Sequence, residues 1–320
     1  VRLHLDTDLG TTIDDFAALV MVLGTPGVEL TGITTSIDPG GRRAGYVRYV
    51  LGLAGRNDIP VVAGAEVSMT TLAFPGHLPD HDRYWPEPVT AAPSPAGSAL
   101  RLLAGSIDAG ATIVALGPCT NLALLGVDRP DVLARARVVA MGGWFDPASE
   151  GLPAWGPARD WNVQCDPTSA DVVVAHAGDV TLVPLSLTMR TSLRRSHLAR
   201  LQHAGPLGRL LAHQAQVQAV ERSTGELARA HGGLPDDLLA FHHDPLTCAV
   251  ALGWPGLALE QRRLVAIRDE DSEVLHFVES QQGQQGRLVS VGADVDADAF
   301  STLWLASVET AERRRSTPPP

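Results

Sequence analysis

No lysine occurs in this chain of 320 residues; all 25 basic positions are arginine. That absence excludes Schiff-base chemistry and the lysine of a phosphate-binding P-loop. Cysteine is scarce as well. Cys119, Cys165 and Cys248 are odd in number and far apart, so they fit neither a disulfide framework nor a zinc site and read as buried free thiols. No uncharged apolar run reaches the roughly 18 residues of a membrane-spanning helix. The start of the chain lacks the basic, apolar and small-residue pattern of a secretory signal, which makes the cytoplasm the expected location. A formal charge of −11 offers no basic footprint for nucleic acid.

What is present is ample apolar material, 45% of the residues, enough for a sizeable core. Short β-rich runs predict strands at 2–7, 28–35, 59–63, 112–116, 137–141 and 179–185. Helical patterns fall between several of them, at 13–23, 42–55, 97–106 and 167–176. This alternation predicts an α/β fold with a doubly wound, mostly parallel sheet. Two long loops, 64–95 and 142–166, interrupt it, and loops of that length are often functional. Residues 192–252 read as mainly helical, a C-terminal half expected to cover the site. Strand-like runs return at 262–267, 273–278 and 287–291, before a helix at 296–308. Without a repeat or a long linker, 1–308 reads as a single domain and 309–320 as a disordered tail.

The densest chemistry lies in the first sixteen residues. Leu3-His4-Leu5 runs into Asp6-Thr7-Asp8-Leu9-Gly10, and Asp14-Asp15 open an apolar helix. Acidic residues in a first helical turn are favoured by the helix dipole, which accounts for Asp14 and Asp15. Asp6 and Asp8 instead sit at the carboxyl end of a strand, the edge where open α/β sheets bind ligands. A hard divalent cation held by oxygen ligands explains all four carboxylates together.

Three later segments bear on the same edge. Gly117-Pro118-Cys119-Thr120-Asn121 follows a predicted strand and can direct backbone carbonyls toward Asp8, or can be a plain capped turn. In Asp160-Trp161-Asn162-Val163-Gln164-Cys165-Asp166-Pro167, Asp166 before a proline reads as a helix N-cap. Asp160 and Asn162, two apart, would share one face of an extended segment, as a polyol-binding pair needs. In Phe241-His242-His243-Asp244-Pro245, Asp244 also resembles an N-cap. The adjoining imidazoles add a cation ligand and a possible proton donor side by side.

DTDLG…DD, GITT, IPVVAGA, LGPCTN, MGG, DWNVQCDP and HHDP follow the order and approximate spacing of the nucleoside hydrolases, the calcium-dependent inosine/uridine-preferring N-ribohydrolases. The resemblance spans Leu3 to about Val308. It implies a Rossmann-like fold of nucleoside hydrolase type and hydrolysis of the N-glycosidic bond of a nucleoside-like compound by Ca²⁺-bound water. It implies Ca²⁺ ligands at Asp8, Asp15, Asp244 and the Thr120 carbonyl, with Asp8 also the catalytic base. Asp14, Asp160 and Asn162 would bind the sugar, and His243 would protonate the leaving base. Trp85, Trp155, Trp161 and Phe241 are candidates to surround that base. A homo-oligomer, dimer or tetramer, is expected on the same ground.

The chain departs from the family pattern at several points. Leu9 follows the second aspartate of the opening, the spacing from Asp8 to Asp14 is two residues longer than usual, and Thr12 stands where a subgroup has aspartate. Pro39 and Ala154 occupy positions of sugar-binding polar residues, and Asp160 replaces a longer glutamate. Asp38 and Trp155 are the candidates to take over those contacts. The metal set is thus intact while the sugar set is altered. Two rival readings remain: a non-hydrolytic ribosyl-binding relative, and a haloacid-dehalogenase-type phosphatase, for which the lysine and the paired late aspartates are missing.

Overall fold

The structure, a computed structural model, describes residues 1–10, 12–75, 81–281 and 285–315. Thr11, residues 76–80 of the first long loop and 316–320 of the expected tail lie outside the described residues.

Eleven strands are formed among the described residues: β1 (Arg2–Thr7), β2 (Glu29–Thr35), β3 (Val61–Ala63), β4 (Thr112–Ala115), β5 (Arg137–Met141), β6 (Asp179–Val183), β7 (Ser192–Arg194), β8 (Leu238–Phe241), β9 (Leu257–Arg268), β10 (Leu275–Glu279) and β11 (Arg287–Val295). Nine of them make one sheet in the order β10-β9-β11-β6-β5-β4-β1-β2-β3. Pairing is parallel from β3 through β11, while β9 and β10 are antiparallel additions. The first six strands therefore run 3-2-1-4-5-6, the doubly wound order, whose topological switch point falls between β1 and β4.

β1 lies inside the sheet between β4 and β2 and is buried along both faces although its residues alternate apolar and polar. Leu3 and Leu5 join the core that the helix Asp14–Gly24 fills with Phe16, Leu19, Val20 and Met21. His4 and Asp6, on the opposite face, make a buried polar rung instead. The His4 nitrogens lie 2.9 Å from Ser106 Oγ and 3.0 Å from Thr34 Oγ1. Thr34 and Asn121 donate to Asp6 Oδ1 at 2.6 and 2.8 Å. Asp6 is thus a strut under the sheet edge.

The helix Ala297–Arg315 crosses Asp14–Gly24 so closely that a Cβ on Gly24 would lie 1.9 Å from the Ser307 carbonyl. Trp304 donates from its indole to the Ala17 carbonyl at 3.2 Å. Arg314 donates to the Leu23 and Thr25 carbonyls, satisfying the open end of the first helix. These contacts carry the last helix to Arg315 and correct the expectation of a tail from 309. Two short strands inside the helical half, β7 and β8, pair antiparallel, and β8 delivers the chain to His242-His243-Asp244. Among the described residues, no helix is long and apolar enough to cross a membrane.

Candidate active site

The carboxyl ends of β1 and β4 face each other at the switch point. A Cβ on Gly117, just after β4, would come within 2.9 Å of the Asp8 carboxylate, so glycine is what admits Asp8 there. Asp14 and Asp15 open the helix Asp14–Gly24, and Asp244 lies in the first turn of the helix His243–Ala251. Two helix N-termini thus point partial positive charge at the same carboxylates. Asp244 is no N-cap, because the helix begins one residue earlier and its carboxylate turns to the cluster.

Ligand atoms of Asp14, Asp15 and Asp244 lie within 4.8 Å of one another, all three buried. Burial and then mutual repulsion raise Asp15 and Asp244 well above the ordinary carboxylate range. Asp8 is also raised, by burial, against the pull of Arg43. Its Oδ2 accepts from Trp161 Nε1 at 3.2 Å and lies 3.9 Å from the Arg43 guanidinium. The Thr7 hydroxyl donates to Asp15, whereas Asp14 Oδ1 is buried with no hydrogen-bond partner among the described residues. Crowded buried oxygens, one of them orphaned and with no thiolate or imidazole among them, fit a hard divalent cation.

Above this floor opens a cleft of about 780 Å³. Trp155, Trp161 and His243 form its walls, with Phe74 and Pro75 from the first long loop. Trp155 meets Phe241 edge to face, with ring centroids 5.9 Å apart and planes at 81°. Burial lowers His243 to about 4, so the ring is neutral near pH 7. Its Nδ1 lies 2.6 Å from Thr188 Oγ1, which in turn lies 3.1 Å from the Leu185 carbonyl. When Thr188 donates to Leu185, the proton stays on Nδ1. When it donates to the ring, the proton moves to Nε2, which bonds no described residue. The Thr188 rotamer and the ring tautomer are therefore linked: Nε2 accepts in one arrangement and donates in the other, with proton exchange between the two nitrogens passing through solvent and the ring neutral in both.

Other expected residues fall differently. Asp38 is absent from the cleft lining: its carboxylate accepts from the Thr35 hydroxyl and from the Arg43 and Ala44 amides, fixing the start of the helix Arg42–Ala54. Asp160 and Asn162 do line the cleft, but not as neighbours on an extended segment. Residues Trp161–Cys165 form a short helix with Asp160 as its N-cap, accepting from the Val163 and Gly143 amides. Asn162 spends its amide hydrogens on the carbonyls of Leu116 and Met141. Trp85 is a core residue stacked on Tyr46 at 4.7 Å. Thr120 is fully buried and opens the helix Thr120–Asp128, its hydroxyl donating to Asp166 at 2.6 Å. The three cysteines are buried and free.

Several participants left no mark in the sequence. Arg43 is buried and donates to the Asp8 and Ile37 carbonyls, 35 and 6 residues away. Asp166 caps its helix as expected, yet it also accepts from the Met69 and Thr70 amides, the Thr70 hydroxyl and Thr120. Arg222 lines the cleft from the end of the helix Pro206–Glu221. The partners of Arg43 and Asp166, and the approach of Arg222 to the cleft, are set by tertiary folding, so no local spacing could announce them.

A metal-ready carboxylate floor at the switch point of a doubly wound sheet, with an aromatic wall above it, describes a hydrolase cleft for a polyol bearing a planar group. The sequence profile of the inosine-uridine preferring nucleoside hydrolases matches residues 3–302, and the chain belongs to that family. The pyrimidine-specific ribonucleoside hydrolase RihA of Salmonella paratyphi A is 32% identical over 220 residues, 65% of this chain and 68% of that protein. Among solved structures, the purine-preferring ribonucleoside hydrolase from Gardnerella vaginalis superposes with a TM-score of 0.77 at 21% identity, covering 98% of this chain and 99% of that one. A plant nucleoside hydrolase, PpNRh1, gives 0.76 at 21% identity with 99% of both chains covered. The protein is a nucleoside hydrolase, an enzyme that breaks the N-glycosidic bond of nucleosides. The phosphatase and non-hydrolytic readings give way to it.

Proposed function

We propose that the cleft hydrolyses its nucleoside with the help of one Ca²⁺, held by Asp8, Asp15, Asp244 and the Thr120 carbonyl. The observation that carries this reading is the buried cluster of Asp14, Asp15 and Asp244 beside Asp8. So many buried carboxylates cannot all ionise without a cation, and an all-oxygen set suits calcium. When bound, the ion supplies an anchor for the sugar diol and Lewis acidity toward the attacking water.

The chain's own residues do the rest. Asp14 accepts from a ribose hydroxyl with the oxygen that the protein leaves unpartnered. Asp8 takes the proton of the attacking water, its carboxylate held in place by the Trp161 indole, as a general base needs. Bond breaking develops positive charge on the sugar and negative charge on the base. The carboxylate floor favours the first. His243, presenting Nε2–H through the Thr188 switch, hydrogen-bonds the second. Trp155, backed edge to face by the buried Phe241, packs against the planar base, with Trp161 orienting Asp8.

Selectivity differs from that expected of a standard site. Pro39 and Ala154 offer no side-chain hydrogen bond, and Asp38 and Asp160 are committed to the backbone. Each missing neutral contact costs roughly 0.5–1.5 kcal/mol. Poor efficiency on unmodified nucleosides is therefore expected, with better turnover of a substrate altered in sugar or base. Incubating the calcium-loaded enzyme with purine and pyrimidine nucleosides and quantifying base and free reducing sugar tests the reaction. Equal amounts of both, independent of phosphate, are expected; a product formed only with phosphate would mean phosphorolysis.

A further inference from the structure

The side-chain donors around the cleft are almost all taken. Trp161 donates to Asp8, and Thr12 bonds Asp14. Asn162 donates to the Leu116 and Met141 carbonyls, and Gln164 to those of Pro157 and Leu275. Arg43 is held by the Asp8 and Ile37 carbonyls. Apart from the tautomer-dependent Nε2 of His243 and the indole N–H of Trp155, the uncommitted side-chain donors among the described lining residues are two guanidiniums, those of Arg159 and Arg222.

Both are exposed, and neither makes a hydrogen bond or ion pair with a described residue. Arg159 lies over the Trp155 ring, 5.6 Å from its centroid, which leaves its N–H groups free in the plane of the guanidinium. Arg222 lies within electrostatic reach of Asp14, at the sugar side of the floor. The ionisable lining comprises five carboxylates and three guanidiniums, so a divalent cation brings it to neutrality and an anion is not repelled. The same cleft is poor in neutral sugar contacts, and its volume lies in the upper half of the range for drug-sized ligands. A planar guanidinium fork with no protein partner is matched by a carboxylate or a phosphate.

We propose that this cleft selects ribosyl substrates carrying an anionic oxygen group, a carboxylate or a phosphate, gripped by Arg222 and Arg159. The inference rests on the hydrolytic reading above and names the substrate class of that same site.

Three probes separate the sources of charge: uridine, its 6-carboxylate, and its 5′-monophosphate, each assayed for released reducing sugar with the calcium-loaded enzyme. At least one anionic probe is expected to exceed uridine in kcat/KM by roughly ten- to a hundredfold, the worth of one or two charge-assisted hydrogen bonds. A carboxylate winner places the charge on the base; a phosphate winner places it on the sugar. The ratio of anionic to neutral substrate should collapse in Arg222→Gln or Arg159→Gln and be partly kept in the matching lysine variant. A wild-type preference for uridine over both anions overturns the proposal, while hydrolysis of uridine leaves the hydrolytic reading standing. A ratio unmoved by both glutamine variants overturns it as well. No turnover of any of the three, with calcium bound, would contradict the hydrolytic reading itself.

Discussion

The proposed mechanism gives Asp8 two duties at one atom group, so its neutral isostere is informative. Asp8→Asn keeps the shape that Trp161 and Gly117 accommodate but removes the base and one cation ligand. Turnover should fall by about 10²–10⁴, the usual worth of a general base, with the far-ultraviolet spectrum retained. Thr188→Val tests the histidine switch. It removes the hydroxyl that lies against His243 Nδ1, so kcat should drop most for nucleosides with poor leaving groups and least for activated aryl ribosides. A uniform loss across leaving groups would assign His243 a purely structural role.

At this scale the sequence was legible where chemistry is crowded into a short stretch. Asp8, Asp14 and Asp15 could be found because four carboxylates fall within ten residues at a strand end. Asp38 was misread because its oxygens turn to the amides of its own helix, a choice that only the backbone path decides. Asp160 lines the cleft as a helix cap rather than on an extended segment: an aspartate before a helical turn is a cap whichever face it lies on.

Among the elements, the junction at Asp166 ties three segments together. Its carboxylate joins the loop at Met69-Thr70, the helix starting at Thr120 and its own helix Pro167–His176. An asparagine there presents an N–H to donors that need an acceptor. Asp166→Asn should cost roughly 2–4 kcal/mol of unfolding free energy. It should also raise KM more than it lowers kcat, because Phe74 and Pro75 hang from the same loop. Thermal melts alongside steady-state kinetics check both; a loss of stability with unchanged KM would make the junction structural only.

Strand and helix periodicity made most of these elements readable, down to β5 and the helix Pro167–His176 at their observed bounds. β7 and β8 escaped because three or four residues carry no periodicity, and they are strands only because they pair with each other. The last helix outran its pattern because its final turn is held by the first helix through Arg314, a contact 291 residues apart in the chain.

For the molecule as a whole, the alternating order of elements dictated the parallel sheet, and the sheet order dictated where the site must open. What the order could not convey is the cost of the site. Buried carboxylates with raised pKa bind more protons folded than unfolded, so the metal-free chain loses their contribution as pH rises past about 4. Two neighbouring buried groups act in the same sense, Asp160 raised to about 6 and Asp6 to about 7. His4 and His243, lowered to about 3 and about 4 by burial, act in the opposite sense: their contribution is lost as pH falls below about 6.5. These last four groups are not cation ligands, so their effects largely cancel when calcium-loaded and calcium-free samples are compared. The difference in Tm between those samples should therefore grow as pH rises above the ordinary carboxylate range, as protons cease to compete for Asp15 and Asp244. A shift independent of pH would show that these carboxylates do not bind the ion.

The most direct test is metal content and turnover measured on the same sample, before chelation, after it, and after calcium is restored. The expected result is about one Ca²⁺ per chain, turnover of nucleoside lost with the ion and recovered with it. Full turnover from a chain stripped of metal would contradict the role given to Asp8, Asp15 and Asp244.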